Sequence, residues 1–153
     1  MPEVRNTIIA LALSGIVLFA CAFAGIAQTE DSSANIKVMG SCEDCLIDGQ
    51  DFSDRKLTGL KLSSAQITDT RFDRAALNIA IFDGATLSRV SFDGADLKGV
   101  SFVGTRFEDV TFEGADLSGA VFEGAILMRT SLDGARLCNT QVPDDIMDKS
   151  DCE

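Results

Sequence analysis

Residues Ser91–Val110 read SFDGADLKGVSFVGTRFEDV, and Thr111–Thr130 read TFEGADLSGAVFEGAILMRT. The two stretches align over all twenty positions, and each divides into four units of five. Every unit places one large apolar residue in the same phase: Phe92, Leu97, Phe102 and Phe107, then Phe112, Leu117, Phe122 and Leu127. Two residues earlier stands a small or β-branched residue, as at Ala95, Val100, Thr105 and Val110. A five-residue repeat fits neither the helical period of 3.6 nor the strand period of 2. A chain that buries one residue in five must turn repeatedly around a common axis.

The phase extends in both directions without a slip. All Phe outside the first thirty residues obey it: Phe52, Phe72, Phe82, Phe92, Phe102, Phe107, Phe112 and Phe122. Ile47, Leu57, Leu62, Ile67, Leu77, Leu87, Leu97, Leu117, Leu127, Leu132, Leu137 and Val142 fill the gaps, giving twenty consecutive apolar residues at five-residue spacing. Every Gly after residue 40 falls in one other phase, where a turn needs backbone freedom. A longer period overlies the short one. Leu57, Leu77, Leu97, Leu117 and Leu137 recur at twenty, as do Phe72, Phe92 and Phe112. One coil therefore holds four units, and like side chains stack along the axis.

The composition agrees. The chain has 153 residues, 46% of them hydrophobic, enough for one domain with a core. It has no His, Trp or Tyr. No Ser-His-Asp or Cys-His nucleophile, His general base or His-containing metal site can be built from it. Thirteen Lys and Arg against twenty-four Asp and Glu leave a net charge of −11. That balance opposes nucleic-acid binding, which needs cations against phosphates.

The units Ala95-Asp96-Leu97-Lys98-Gly99 and Ala115-Asp116-Leu117-Ser118-Gly119 resemble the A-(D/N)-L-x-x consensus of pentapeptide-repeat proteins. The resemblance covers about Cys45 to Val142. It implies an all-β fold, a right-handed quadrilateral β-solenoid (pentapeptide-repeat β-helix) of about 4–5 coils of 20 residues. Arg55, Leu60, Gln50 and Cys45 depart from the small phase, so the first coil is expected to pack irregularly. Coils at the strand spacing of about 4.8 Å would put Leu57 and Leu137 roughly 19 Å apart. The organisation expected is a leader over 1–27, an N-terminal cap over 28–46, the solenoid over 47–142 and a C-terminal cap or tail over 143–153. Asn35–Asp44 would cover the first edge, and Asp144–Lys149, after the break at Pro143, is predicted as one helical turn over the last coil.

The leader has Arg5 near its start, no charge from Thr7 to Ala27, and an abrupt polar switch at Gln28. That anatomy is a secretory signal peptide, with small residues allowing cleavage after Ala27 or Ala24. Two other readings stand beside it. Ile8–Ala27 is just long enough for an uncleaved membrane anchor. Leu18-Phe19-Ala20-Cys21 is similar to a lipobox, which would lipidate Cys21. All three place the domain outside the cytoplasm: periplasmic or extracellular, or lumenal in a photosynthetic host.

Beyond the leader four cysteines remain, Cys42, Cys45, Cys138 and Cys152, which allow three pairings. The first two belong to the first coil and the last two to the final coil and its tail. Bridged Cα atoms lie within about 7 Å, which excludes end-to-end pairs and predicts Cys42–Cys45 and Cys138–Cys152. A redox role for Cys42-Glu43-Asp44-Cys45 would need a lowered thiol pKa, and two acids between the thiols oppose it. The same separation opposes a four-thiolate zinc site. No metal and no cofactor are expected.

The acids are gathered rather than scattered. Asp73, Asp93, Glu113 and Asp133 are twenty apart and form a ladder on one face; Asp83 and Glu123 are expected on the adjacent face. Thr58, Asn78, Lys98 and Ser118 are assigned to the opposite, nearly uncharged side. Like charges at strand spacing repel, so the ladder either serves solubility or docks a basic partner or cations. The reading is an exported, non-catalytic scaffold or protein-interaction module whose partner is a protein, a basic one where the acidic ladder docks it, and not a nucleic acid. The resemblance also implies an alternative, because acidic quinolone-resistance members of the family imitate DNA and bind gyrase.

Overall fold

The structure, a computed structural model, describes residues 40–144 and 146–152. The signal-peptide, anchor and lipidation readings at 1–27, and most of the 28–46 cap, lie outside the described residues.

Five three-residue strands lie twenty residues apart: β1 (Leu46–Asp48), β2 (Gln66–Thr68), β3 (Thr86–Ser88), β4 (Arg106–Glu108) and β5 (Ile126–Met128). They pair in parallel and in sequence order, with Ile47 opposite Ile67, Leu87 opposite Phe107, and Phe107 opposite Leu127. Four complete turns therefore separate β1 from β5. The other three sides carry single bridges at the same interval, such as Asp51–Arg71, Lys56–Ala76 and Lys61–Ile81. The described residues form an all-β, four-sided solenoid with no helix.

One unit explains the local geometry. The Phe72 amide donates to the Ser91 carbonyl of the next coil (2.7 Å), and the Ala75 amide returns to the Phe72 carbonyl (3.1 Å). That second bond closes a four-residue turn whose third residue, Arg74, has φ 55°. Most Gly of the repeat occupy this turn position, where a left-handed φ is required. Asp, Arg, Ser and Asn take it elsewhere, and Ile79 is the one β-branched residue held there among the described residues.

The interior is a pair of phenylalanine stacks. Phe52, Phe72, Phe92 and Phe112 succeed one another at 5.2, 5.2 and 5.3 Å between ring centroids, and Phe82, Phe102 and Phe122 at 5.2 and 5.0 Å. These spacings follow the strand separation of about 4.8 Å. Between the stacks the rings meet edge to face, the other favoured aromatic geometry. Burial is complete in the middle of the described solenoid, whereas Leu57, Leu127, Leu137 and Val142, in its first and last coils, are only partly buried. In the first coil, Leu60 is buried in its small-phase position while Arg55 is exposed.

The C-terminal segment differs from the helical turn predicted for Asp144–Lys149. Strands β6 (Thr140–Gln141) and β7 (Met147–Asp148) pair antiparallel, with Thr140 opposite Asp148. Gln141 is already extended because it pairs with Val121. On the outer edge of that strand the Val142 amide donates to the Ile146 carbonyl of the returning chain (3.0 Å), whereas an isolated six-residue helix is marginal in water.

Candidate interaction surface

The second face of the solenoid carries the predicted ladder, and its members are not equivalent. Asp73 is buried: Arg71 donates to its Oδ2 from Nε (3.0 Å) and Nη2 (2.7 Å), and the Ser91 hydroxyl donates to its Oδ1. Burial pushes the Asp73 carboxyl up, but the hydrogen bonds from Ser91 and Arg71 and the nearby guanidinium charges outweigh it. The group is held below the ordinary carboxylate range. Asp93 accepts the Glu113 amide (3.0 Å), and Asp133 accepts the Ser131 hydroxyl (2.6 Å). Among the described residues no ion pair reaches Asp93, Glu113 or Asp133. A shallow groove of about 440 Å³ runs beside these three carboxylates, with Thr111, Ser131 and Arg129 also in its walls.

Asp83 and Glu123 stand on a different face from the one expected. They lie two units along the coil from the ladder, which in a four-sided solenoid is the opposite side. Asp83 accepts the Ser101 hydroxyl (2.5 Å) and the Val103 amide (3.2 Å), and Glu123 is exposed. The adjacent side is the one with Thr58, Asn78, Lys98 and Ser118. It is charged: the Lys98 ammonium bridges Asp96 (3.2 Å) and Asp116 (3.1 Å).

Two corner columns carry a feature that the apolar and acidic phases alone do not show. At turn positions one coil apart, Arg74 pairs with Asp54 (2.8 Å), Arg89 with Asp69 (2.7 Å) and Arg129 with Asp109 (2.7 Å). Arg129 also reaches Glu108 at 2.6 Å. Each Asp is held below its ordinary range first of all by its arginine's hydrogen bonds. The signal was present in the sequence as opposite charges twenty residues apart in the Gly phase.

The cysteines join as Cys42–Cys45 and Cys138–Cys152, with Cα atoms 5.7 and 4.8 Å apart. The second bridge holds the tail on the last coil. There Asp151 donates its amide to the Leu137 carbonyl (3.0 Å) and accepts the Leu137 amide on Oδ2 (2.9 Å). Among the described residues no group of three or more Cys, Asp or Glu is placed to hold a metal ion. The described solenoid has a filled interior, and the chemistry its surface offers is charge and hydrogen bonding along columns.

Residues 82–140 match the family model described as pentapeptide repeats (9 copies). Among solved structures the chain is similar to Rfr23, a pentapeptide repeat protein from the cyanobacterium Cyanothece 51142, at 17% identity. That match covers 67% of this chain and 90% of the other, with a TM-score of 0.34. It is also similar to full-length QnrB1, a plasmid-mediated fluoroquinolone resistance protein (19% identity, 68% and 78% coverage, TM-score 0.43). A third is a pentapeptide repeat protein of the Arabidopsis thaliana thylakoid lumen (25% identity, 62% and 68% coverage, TM-score 0.34). No curated protein matches the chain by sequence.

Proposed function

We propose that this chain, whose residues 82–140 match the pentapeptide-repeat family model, is a non-catalytic scaffold of that family that docks a basic protein outside the cytoplasm. One observation carries the docking half. Asp54, Asp69, Asp73, Asp109 and Asp116 each form an ion pair, whereas Asp93, Glu113 and Asp133 stand in one column with none among the described residues. Three unneutralised carboxylates at strand spacing repel one another, and a basic surface laid along the groove relieves them. Such complementarity speeds encounter and selects partners more than it adds raw affinity.

The export half rests on the uncharged leader followed by a polar switch, and on two disulfides, which persist in oxidising compartments. The non-catalytic half rests on an interior filled by Phe and Leu. The test is capture from the host's envelope fraction at low salt. The bait is the oxidised protein, compared with a variant carrying Asp93→Asn, Glu113→Gln and Asp133→Asn. Asp73 stays, because its carboxylate is buried against Arg71 and belongs to the fold. A basic protein captured by the parent and lost by the variant supports the reading; equal capture refutes it. N-terminal sequencing from the host should give a start at Gln28 or Gly25. A cytosolic protein that begins at Met1 would turn the reading to the DNA mimic.

A further inference from the structure

Four Asp-Gly dipeptides occur in the described solenoid: Asp48-Gly49, Asp83-Gly84, Asp93-Gly94 and Asp133-Gly134. Among Asp-Xaa dipeptides Asp-Gly is the one most open to attack of the backbone on the side chain, because glycine sets no Cβ beside its own amide nitrogen. What differs among the four is how the coils hold them. The Gly49, Gly84 and Gly94 amides each donate to the next coil, to Thr68 (3.0 Å), Val103 (2.8 Å) and Glu113 (2.8 Å). The carbonyl of the preceding Asp is held as well: Asp83 accepts the Ser64 amide (2.8 Å), Asp93 the Arg74 amide (2.9 Å) and Asp48 the Gln50 side chain (3.0 Å).

The last coil breaks this pattern. Along its column the bonds run Asp54 to Asp73, Arg74 to Asp93 and Gly94 to Glu113, nineteen residues on each time. The Gly114 amide then skips Asp133 and takes the Gly134 carbonyl (2.8 Å), a slip of one residue. Among the described residues the Asp133 carbonyl has no donor and the Gly134 amide has no acceptor. Gly134 also leaves the left-handed conformation that Gly94 and Gly114 hold in the same column (φ 67° each). Both residues are exposed.

We propose that Asp133-Gly134 is a site of spontaneous isoaspartate formation, and that the coil ladder protects the other three dipeptides. The Gly134 amide nitrogen attacks Cγ of the protonated Asp133 carboxyl group. The C–OH bond breaks, the hydroxyl leaves with the amide proton as water, and a five-membered succinimide closes. Water then adds to one of its two carbonyls. Opening at Cγ restores aspartate; opening at the former main-chain carbonyl leaves the chain linked through the β-carbon. That product adds one methylene to the backbone and moves the carboxylate, so it alters the end of the acidic column. The reaction requires the Asp133–Gly134 peptide plane to rotate, which in the other three sites means first opening hydrogen bonds to the next coil.

Trypsin places the four sites in separate peptides: Val38–Arg55, Ala75–Arg89, Val90–Lys98 and Thr130–Arg136. The oxidised protein is kept folded at mildly acidic pH and body temperature. Each peptide is followed by chromatography and electron-transfer fragmentation, which distinguishes α- from β-linked aspartate. Isoaspartate is expected to accumulate in Thr130–Arg136 roughly tenfold or more faster than in any other peptide, and the four rates should converge in urea. Equal rates in the folded protein, or a faster rate elsewhere, overturn the proposal. So does a lead for Thr130–Arg136 that persists in urea, since it would then belong to the local sequence.

Discussion

Replacing Phe102 by Ala tests whether the phenylalanine stacks hold the solenoid together. Phe102 has no exposed surface, stacks between Phe82 at 5.2 Å and Phe122 at 5.0 Å, and meets Phe92, Phe107 and Phe112 edge to face. Truncating a buried Phe to Ala costs about 3–5 kcal/mol through lost transfer energy plus the cavity left behind. The upper part of that range applies here. The neighbouring rings are fixed at strand spacing by main-chain ladders on every side, so the cavity has little means of collapsing. Each coil touches only the coils beside it, so the loss falls on two interfaces of a short one-dimensional stack. Chemical denaturation of the oxidised protein should show this as a lower midpoint at unchanged slope. Melting should fall by roughly 16–25 °C, which is about 4–5 kcal/mol at about 4–5 °C per kcal/mol for a domain of this size. Phe102→Leu, which keeps the phase's other favoured residue, should cost under about 1.5 kcal/mol. Leu137→Ala, at the partly buried end, should cost less than Phe102→Ala. A loss below about 1.5 kcal/mol for Phe102→Ala, or one no larger than for Leu137→Ala, would refute the stack as the main source of stability.

Other perturbations follow from single features. Ile79→Gly should stabilise the fold by about 0.5–1 kcal/mol in the same denaturation assay. It removes a β-branched side chain from φ 54° at an exposed turn. Asp73, Asp96 and Asp116 are all held below the ordinary carboxylate range, with hydrogen bonds and cations outweighing burial. Their unfolded-state groups therefore bind protons first. The stability they contribute is complete above a pH of about 4 and lost as the pH falls below it. Melting temperature should drop through that acid window, and less steeply in Asp73→Asn than in the parent. Removing Cys138–Cys152 as a double serine variant should cost about 3 kcal/mol, and removing Cys42–Cys45 about 2. The fourteen-residue separation closes the larger loop; denaturation midpoints of the two variants give the order.

The fold was legible because one physical demand repeats. A narrow four-sided interior admits one large residue per side, and Ile47 through Val142 declare it at every fifth position. The end of the solenoid was less legible. Pro143 marked the break, but whether Asp144–Lys149 coils or returns depends on the outer edge of the Thr140–Gln141 strand, which forms only once the last coil is assembled. The faces were misordered for a simpler reason. Counting residues in steps of twenty finds columns, while the order of columns around the coil needs steps of five: Asp83 is two such steps from Asp73, and Asn78 is one.

The state of each acid depends on two neighbours that the ladder alone does not reveal. Side chains flanking the large residue of a unit lie on the same outer surface, so the residue before Phe72 can reach the residue after it. Arg71 does so with Asp73. In the next coils the flanking residue is Ser91, Thr111 or Ser131, and the column neighbours of Glu113 are Asp93 and Asp133, so no cation is available from either direction. Thr111 is exposed and bears the same relation to Glu113 that Arg71 bears to Asp73. Thr111→Arg should therefore rebuild that pair in the middle of the groove. Stability should rise by under about 1 kcal/mol, the usual worth of an exposed ion pair, and by less at high salt. The same substitution should weaken capture of a basic partner, since it supplies from within the charge the partner would bring. If Thr111→Arg raises stability and leaves capture unchanged, the free carboxylates serve solubility and the docking face lies elsewhere.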